Sequence, residues 1–180
     1  RMRFDHWGAE ASELERPLEC DRFLPDHDQR LIRAVGIDAP AATTFRWITQ
    51  LRVAPYSYDW IDNLGRTSPR ELIPGLDELE PGQRFQSIFT LVAFEPGRSV
   101  TMRHSGRLFG EVVVTYLAEP VTAVCSRLFV RMLVRRARNP LSSMLSPLLP
   151  AGDLVMMRKQ LLTLKRLAEG TSMSPADQRE

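Results

Sequence analysis

The feature that most constrains this chain is a change of hydrophobic period. Between Gln83 and Arg136 apolar residues recur at every second position, in four separate runs. From Asp153 onward they recur three and four apart. A period of two belongs to a strand with unlike faces, and a period near 3.6 to a helix. The four runs are Phe85 to Phe94, Ser99 to His104, Phe109 to Ala118 and Ala123 to Arg136. Between them stand Glu95-Pro96-Gly97, Ser105-Gly106 and Glu119-Pro120, all turn-forming chemistry. Strands joined by short turns pair with their sequence neighbours, so the pattern predicts an antiparallel meander. One amphipathic helix then follows, long enough to cover one face of such a sheet.

The last strand indicates which face that is. Arg127, Arg131 and Arg135 fall on one side of it, together with Phe129 and Leu133. Leu128, Val130, Met132 and Val134 take the other side and should face the core. The arginine side is expected to meet water. In the helix, Leu154, Met157, Leu161, Leu164 and Ala168 form one stripe, with Lys159 and Arg166 away from it. Asp153 is the expected N-cap and Gly170 the expected stop.

Upstream of the meander, Arg30 to Ile37 reads as a strand, and Asp38-Ala39-Pro40 as a helix start. Ala41, Phe45, Ile48 and Leu51 continue at helical spacing until Pro55. Ser57 to Leu64 reads as a second short helix, with Tyr58, Ile61 and Leu64 on one face. Gly65 to Pro81 is a long connection rich in proline, and a loop of that length commonly has a role of its own. The expected organisation is an extended polar arm over 1–28, a single domain over 29–170 and a polar tail over 171–180.

At 180 residues the chain has the size of one ordinary domain. Hydrophobic residues are 43% and charged residues 26%, a globular balance, and a net charge of +2 gives no reason to expect a polyanionic partner. The basic cluster Arg131, Arg135, Arg136 and Arg138 lacks interleaved aromatics for stacking bases, so nucleic acid is not an expected partner. No apolar run reaches the roughly 18–20 residues of a membrane span, and Arg1 to Glu15 has no signal-peptide core. Cys20 and Cys125 have neither disulfide-framework nor metal-ligand spacing. They are expected to be free thiols in a reducing cytoplasm.

The order of strand, two short helices, meander and terminal helix resembles the START-like, polyketide-cyclase-like SRPBCC superfamily, whose fold is the helix grip. Ile37-Asp38-Ala39-Pro40 with Phe45-Arg46-Trp47 is similar to the family's opening strand-to-helix passage. Tyr56-Ser57-Tyr58-Asp59-Trp60-Ile61-Asp62-Asn63-Leu64 resembles the second-helix signature of one largely uncharacterised bacterial branch. Gly152 to Arg158, through Leu161 and Leu164-Lys165, resembles that branch's last helix, and Trp7-Gly8-Ala9 its arm. Two departures stand out. Leu51 to Pro55 lacks the glycines that often precede the tyrosines, and Gly82-Gln83 replaces a Gly-Asp pair. The resemblance implies an α+β helix-grip fold, a curved antiparallel sheet wrapped around a long C-terminal helix, with a ligand cavity between them. It implies no shared catalytic set.

The candidate pocket residues are Trp47, Tyr56, Tyr58, Asp59, Trp60, Asn63, His104, Leu128, Val130, Met132, Met157 and Leu161. The aromatic cluster from Tyr56 to Asn63 could rim a pocket, although aromatics at helical spacing commonly serve as core. His104 could act as an acid or base if Glu111 on the next strand were its partner. No nucleophile elbow, phosphate-binding glycine loop or dinucleotide fingerprint occurs. His6, His27 and His104 are too scattered for a metal site, and no cofactor is expected. The expected function is binding of a small lipophilic or aromatic molecule in the apolar cavity. The alternatives are a polyketide cyclase or dehydratase, in which Tyr58 or His104 would polarise a carbonyl, and a protein-interaction module using the Gly65–Pro81 loop and the arm.

Overall fold

The computed structural model describes residues 5–57, 67–86, 88–106, 110–137 and 149–173. The described elements are β1 (His6–Trp7), α1 (Ala11–Leu14), α2 (Glu19–Phe23), β2 (Gln29–Ile37), α3 (Ala41–Thr49), β3 (Arg84–Phe85), β4 (Phe89–Glu95), β5 (Ser99–Gly106), β6 (Gly110–Pro120), β7 (Ser126–Arg135) and α4 (Leu149–Met173). A 3-10 turn, Gln50–Arg52, extends α3. The seven strands make one curved sheet in the order β1-β2-β7-β6-β5-β4-β3. All neighbours are antiparallel except β1, which runs parallel to β2. The meander forms as the period of two predicts, with Pro96-Gly97 turning between β4 and β5, but Ser105-Gly106 and Glu119-Pro120 are not turns: they are the paired ends of β5 and β6.

The inner face of the sheet grips α4. Val100 and Met102 of β5, Val114, Tyr116 and Ala118 of β6, and Leu128 and Val130 of β7 share one core cluster with Met157, Leu161, Leu164 and Ala168 of α4. Phe45, Trp47, Ile48 and Leu51 close its end. Four of the five stripe residues therefore form the helix side of the core, while Leu154 is half-buried outside that cluster.

Four further expectations are corrected. The run from Phe85 to Phe94 is two strands, because Gln86 adopts φ 49 and its N–H donates to Leu51 O at 2.9 Å. Asp153 is not a cap: α4 begins at Leu149 and Asp153 lies inside it, engaged with Arg33. Gly170 does not stop α4 either. The helix continues to Met173, held there by Trp47 Nε1, which donates to Thr171 Oγ1 at 3.0 Å. A glycine costs a helix only about 1 kcal/mol, so one tertiary anchor outweighs it.

The fourth correction concerns the arginine face of β7. Arg127 and Arg131 are covered and only Arg135, 43% exposed, meets water, because the arm is not simply extended. Its strand and two short helices lie across the outer face of the sheet. Val113 and Leu133 pack with Cys20 and Leu24. Ile32, Ala34, Leu117 and Phe129 pack with Ala9, Leu14 and Leu18. Arg131 is 1% exposed and bonds Asp21 Oδ2 at 2.8 Å and Leu14 O at 3.1 Å. Arg127 forks onto the two oxygens of Glu13 at 2.7 and 2.8 Å. Gly8, at φ 71, crosses so close that a Cβ would lie 2.1 Å from Ala34 O. Only glycine meets both demands.

Candidate functional site

Inside the grip, polar side chains interrupt an otherwise apolar lining. Arg33 of β2 shares the inner face with Val35 and Ile37, because residues two apart in a strand point the same way. Its side chain is 1% exposed, and Nη2 donates to Asp153 Oδ2 of α4 at 2.8 Å. Nη1 donates to the carbonyls of Asp5 and Ile32 at 2.9 and 2.8 Å. Further along the same helix, Gln160 reaches the opposite wall. Tyr116 Oη donates to Gln160 Oε1 at 2.6 Å, and Gln160 Nε2 donates to Pro55 O at 2.6 Å. Met157 Sδ lies 3.7 Å from the same phenol. The side chain of Gln86 is also within its hydrogen-bond reach.

The electrostatics follow from burial. Burial pushes the Asp153 carboxyl from 3.8 up to about 6, although the Arg33 guanidinium pulls it down. Burial likewise lowers the Arg33 guanidinium from its usual value, against the opposing effect of Asp153. The Tyr116 phenol is held well above its usual range, first by burial and then by the Asp153 charge. The interior thus offers a carboxyl that titrates near neutral pH and a phenol that stays protonated as a donor.

The expected site residues divide into four groups. Leu128, Val130, Met157 and Leu161 belong to the core beside this polar set, and Met132 is half-buried against it. Val130 is 1% exposed, opposite Tyr116 in register, so it borders packed side chains rather than the open space expected at mid-strand. Trp47 and Tyr56 are each 1% exposed and meet edge-on, with ring centroids 6.1 Å apart. Tyr56 also lines a small cleft of about 140 Å³ with Lys159 and Thr163 of α4. Tyr58, Asp59, Trp60 and Asn63 lie outside the described residues, as does most of the second short helix.

His104 stands apart. Its Nδ1 is 2.9 Å from Ile88 O and its ring meets Phe89 edge-on at 5.9 Å, in an open groove by the β4 edge. Glu111 is not its partner. His104 pairs in register with Val112, so the side chains of residues 104 and 111 project from opposite faces of the sheet. Glu111 instead bonds Arg103 and Arg135. The described part of the long loop is pinned to the 3-10 turn. Gln50 exchanges hydrogen bonds with the Ile73 backbone, and Arg52 donates to Leu76 O at 3.0 Å. Arg33, Tyr116, Asp153 and Gln160 were missed as site residues. Their signal was polarity at positions whose period faces the core, Gln160 next to Leu161 above all.

No protein-family model matches the chain, and no curated protein matches it. Solved structures do. A protein from Thermus thermophilus superposes with a TM-score of 0.53 at 12% identity, over 79% of this chain and 99% of that one. A protein from Mesorhizobium loti gives 0.51 at 16% identity, over 81% and 100%. The di-domain ARO/CYC protein BexL from the BE-7585A biosynthetic pathway gives 0.50 at 14%, over 81% of this chain. The chain shares the helix-grip fold of these structures. It spans about half the length of BexL, 48%. Among the described residues no helix is long and apolar enough to cross a membrane, and no three His, Cys, Asp or Glu side chains are placed to hold a metal ion.

Proposed function

We propose that the protein binds a small lipophilic or aromatic molecule between the inner face of the sheet and α4, in the cytoplasm. The observation that carries this reading is the buried polar set, Arg33 with Asp153 and Tyr116 with Gln160, in an apolar interior. Folding gains little from such groups. A buried ion pair replaced by well-packed apolar residues commonly leaves stability unchanged or improved. A few fixed polar groups in an apolar surround are what orients a small ligand. Met132, half-buried on the inner face, is the position that this reading assigns to ligand contact. The buried Cys20, its thiol pushed up to about 11 by burial, fits a reducing compartment where thiols are not used as staples.

A second reading is favoured by the Asp153 carboxyl at about 6. A group that titrates near neutral pH can give and take protons, and Tyr116 could donate to a substrate carbonyl in exchange for its bond to Gln160. A cyclase or dehydratase acting on an aromatic polyketide would use both, and BexL carries ARO/CYC in its description. The discriminating experiment is incubation with a linear poly-β-ketone thioester mimic. Product formation lost in Asp153→Asn, in a folded protein, supports the enzyme. Tight binding without turnover supports the carrier.

A further inference from the structure

The arginines of the sheet are spent on partners. Arg33, Arg103, Arg127, Arg131 and Arg135 each bond a carboxylate. The side chains of Arg70, Lys159 and Arg166 bond none, and all three line one cleft of about 140 Å³ between α4 and the segments 56–57 and 67–70. Lys159, Thr163 and Arg166 are four and three apart, so they share one face of the helix. Arg70 comes from the facing loop, which the bonds between Gln50 and the Ile73 backbone hold in place. Buried Tyr56 and Ser68 belong to the same lining, as does the exposed Thr67.

No acidic side chain is among the described residues that line this cleft. Lys159 has no acid three or four residues away on its helix, where Val155, Met156, Leu162 and Thr163 stand. Glu169, three residues beyond Arg166, is taken by Lys165 and by the Asp38 backbone N–H. Like charges gathered on one cleft repel, and an anion between them turns that repulsion into attraction. Two guanidiniums and an ammonium offer more N–H donors than the two oxygens of a carboxylate can accept. A phosphomonoester carries about −1.5 to −2 charge at pH 7 and three strong acceptor oxygens, which matches the set. The cleft is smaller than the roughly 300–1,000 Å³ of a site that encloses a whole small molecule, so it suits a head group.

We infer that this cleft is an anion site for the phosphate group of a phosphomonoester. Lys159 and Arg166 hold it from α4 and Arg70 from the loop, with the Thr67 hydroxyl at the rim. None of Arg33, Tyr116, Asp153 and Gln160 lines the cleft, so the site stands apart from the grip interior.

The test is isothermal titration calorimetry of the full chain with inorganic phosphate, in low-salt buffer at pH 8. One saturable site is expected. Lys159→Gln and Arg166→Gln, at exposed positions, should each weaken it about tenfold, the worth of a charge-assisted hydrogen bond. Arg22→Gln removes the same charge from the arm, on the other face of the sheet, and should leave binding unchanged. Sulfate should compete, and acetate at the same concentration should not. Thermal melting checks that the variants fold. Vesicles of phosphatidylcholine with phosphatidic acid separate the two sources of a phosphomonoester. Capture that Arg166→Gln abolishes assigns a lipid head group, and phosphate binding without capture assigns a soluble ester. Absence of saturable phosphate binding overturns the inference. So does unchanged binding in both cleft variants, equal weakening by Arg22→Gln, or acetate competing as well as sulfate.

Discussion

Replacing Arg33 by methionine isolates the buried ion pair at the centre of the grip. Arg33→Met keeps much of the side chain's apolar length and removes the only cation bonded to Asp153 among the described residues. At pH 8 a buried carboxylate is then left uncompensated, which costs roughly 3–5 kcal/mol. At pH 5 the carboxyl, already raised to about 6 in the intact protein and higher without its cation, binds a proton, and most of that cost disappears. The intact protein has a slope of the same sign. Its folded carboxyl lies above the value of 3.8, so stability is fully present below 3.8 and is lost as pH rises through about 6. The full loss is on the order of a few kcal/mol, and part of it falls above pH 5. Glu13 and Glu119 act oppositely. Arg127 and Arg16 hold them below 4.5, so their contribution is present above that pH and lost as it falls. Measurements at pH 5 and 8 lie outside their window. Urea unfolding of the wild type, Arg33→Met and Arg33→Met/Asp153→Asn at both pH values reads the effect. The single variant should be much worse at pH 8 than at pH 5, and the double variant should show little pH dependence. An equal penalty at both pH values would refute the reasoning, since the lost bonds to Asp5 and Ile32 carbonyls do not titrate.

Other perturbations follow from the packing. Leu161→Ala, at 0% exposure under the sheet, should cost roughly 2–5 kcal/mol in chemical denaturation, while exposed Lys159→Ala should change stability by less than about 0.5. Gly8→Ala should lower the melting temperature, with a cost of about 1–3 kcal/mol from the positive φ and the clash with Ala34 O; an unchanged melt would remove the arm from the outer face. His104→Ala should leave any turnover within about tenfold, because its ring faces Ile88 and Phe89 away from the polar set; a loss of a hundredfold or more in a folded variant would show it to be catalytic.

Much of the architecture was legible because it rests on local pattern. The meander is legible in the period of two of its successive runs, although Ser105-Gly106 and Glu119-Pro120 proved to be strand ends rather than turns, and the inner face of β7 is legible in the strict alternation at Leu128, Val130 and Met132. What escaped depends on partners far apart in sequence. Arg131 reads as a solvent-facing charge until Asp21, 110 residues away, covers it. Asp153 reads as a cap, since an aspartate before an apolar run usually is one. Its true partner Arg33 is 120 residues off. The pairing of His104 with Glu111 rested on adjacency along neighbouring strands. It failed on register, where one residue of offset moves a side chain to the other face. The arm was the least legible part, because Ala9, Leu14, Leu18 and Cys20 show no period of their own. They are apolar where the sheet needs cover.

The most direct measurement of the central claim is mass spectrometry of small molecules released from the natively purified protein, beside a Met132→Trp variant. The large ring is placed on the half-buried position of the inner face. Val130 would be the wrong choice, since its packed surroundings predict overpacking. The account predicts a lipophilic or aromatic compound enriched in near-stoichiometric amount with the wild type and lost from the folded variant. It predicts also that Nile red, a neutral apolar dye, saturates the emptied wild type and not the variant. No enriched compound together with no saturable dye binding, or equal retention of both by Met132→Trp, would contradict it.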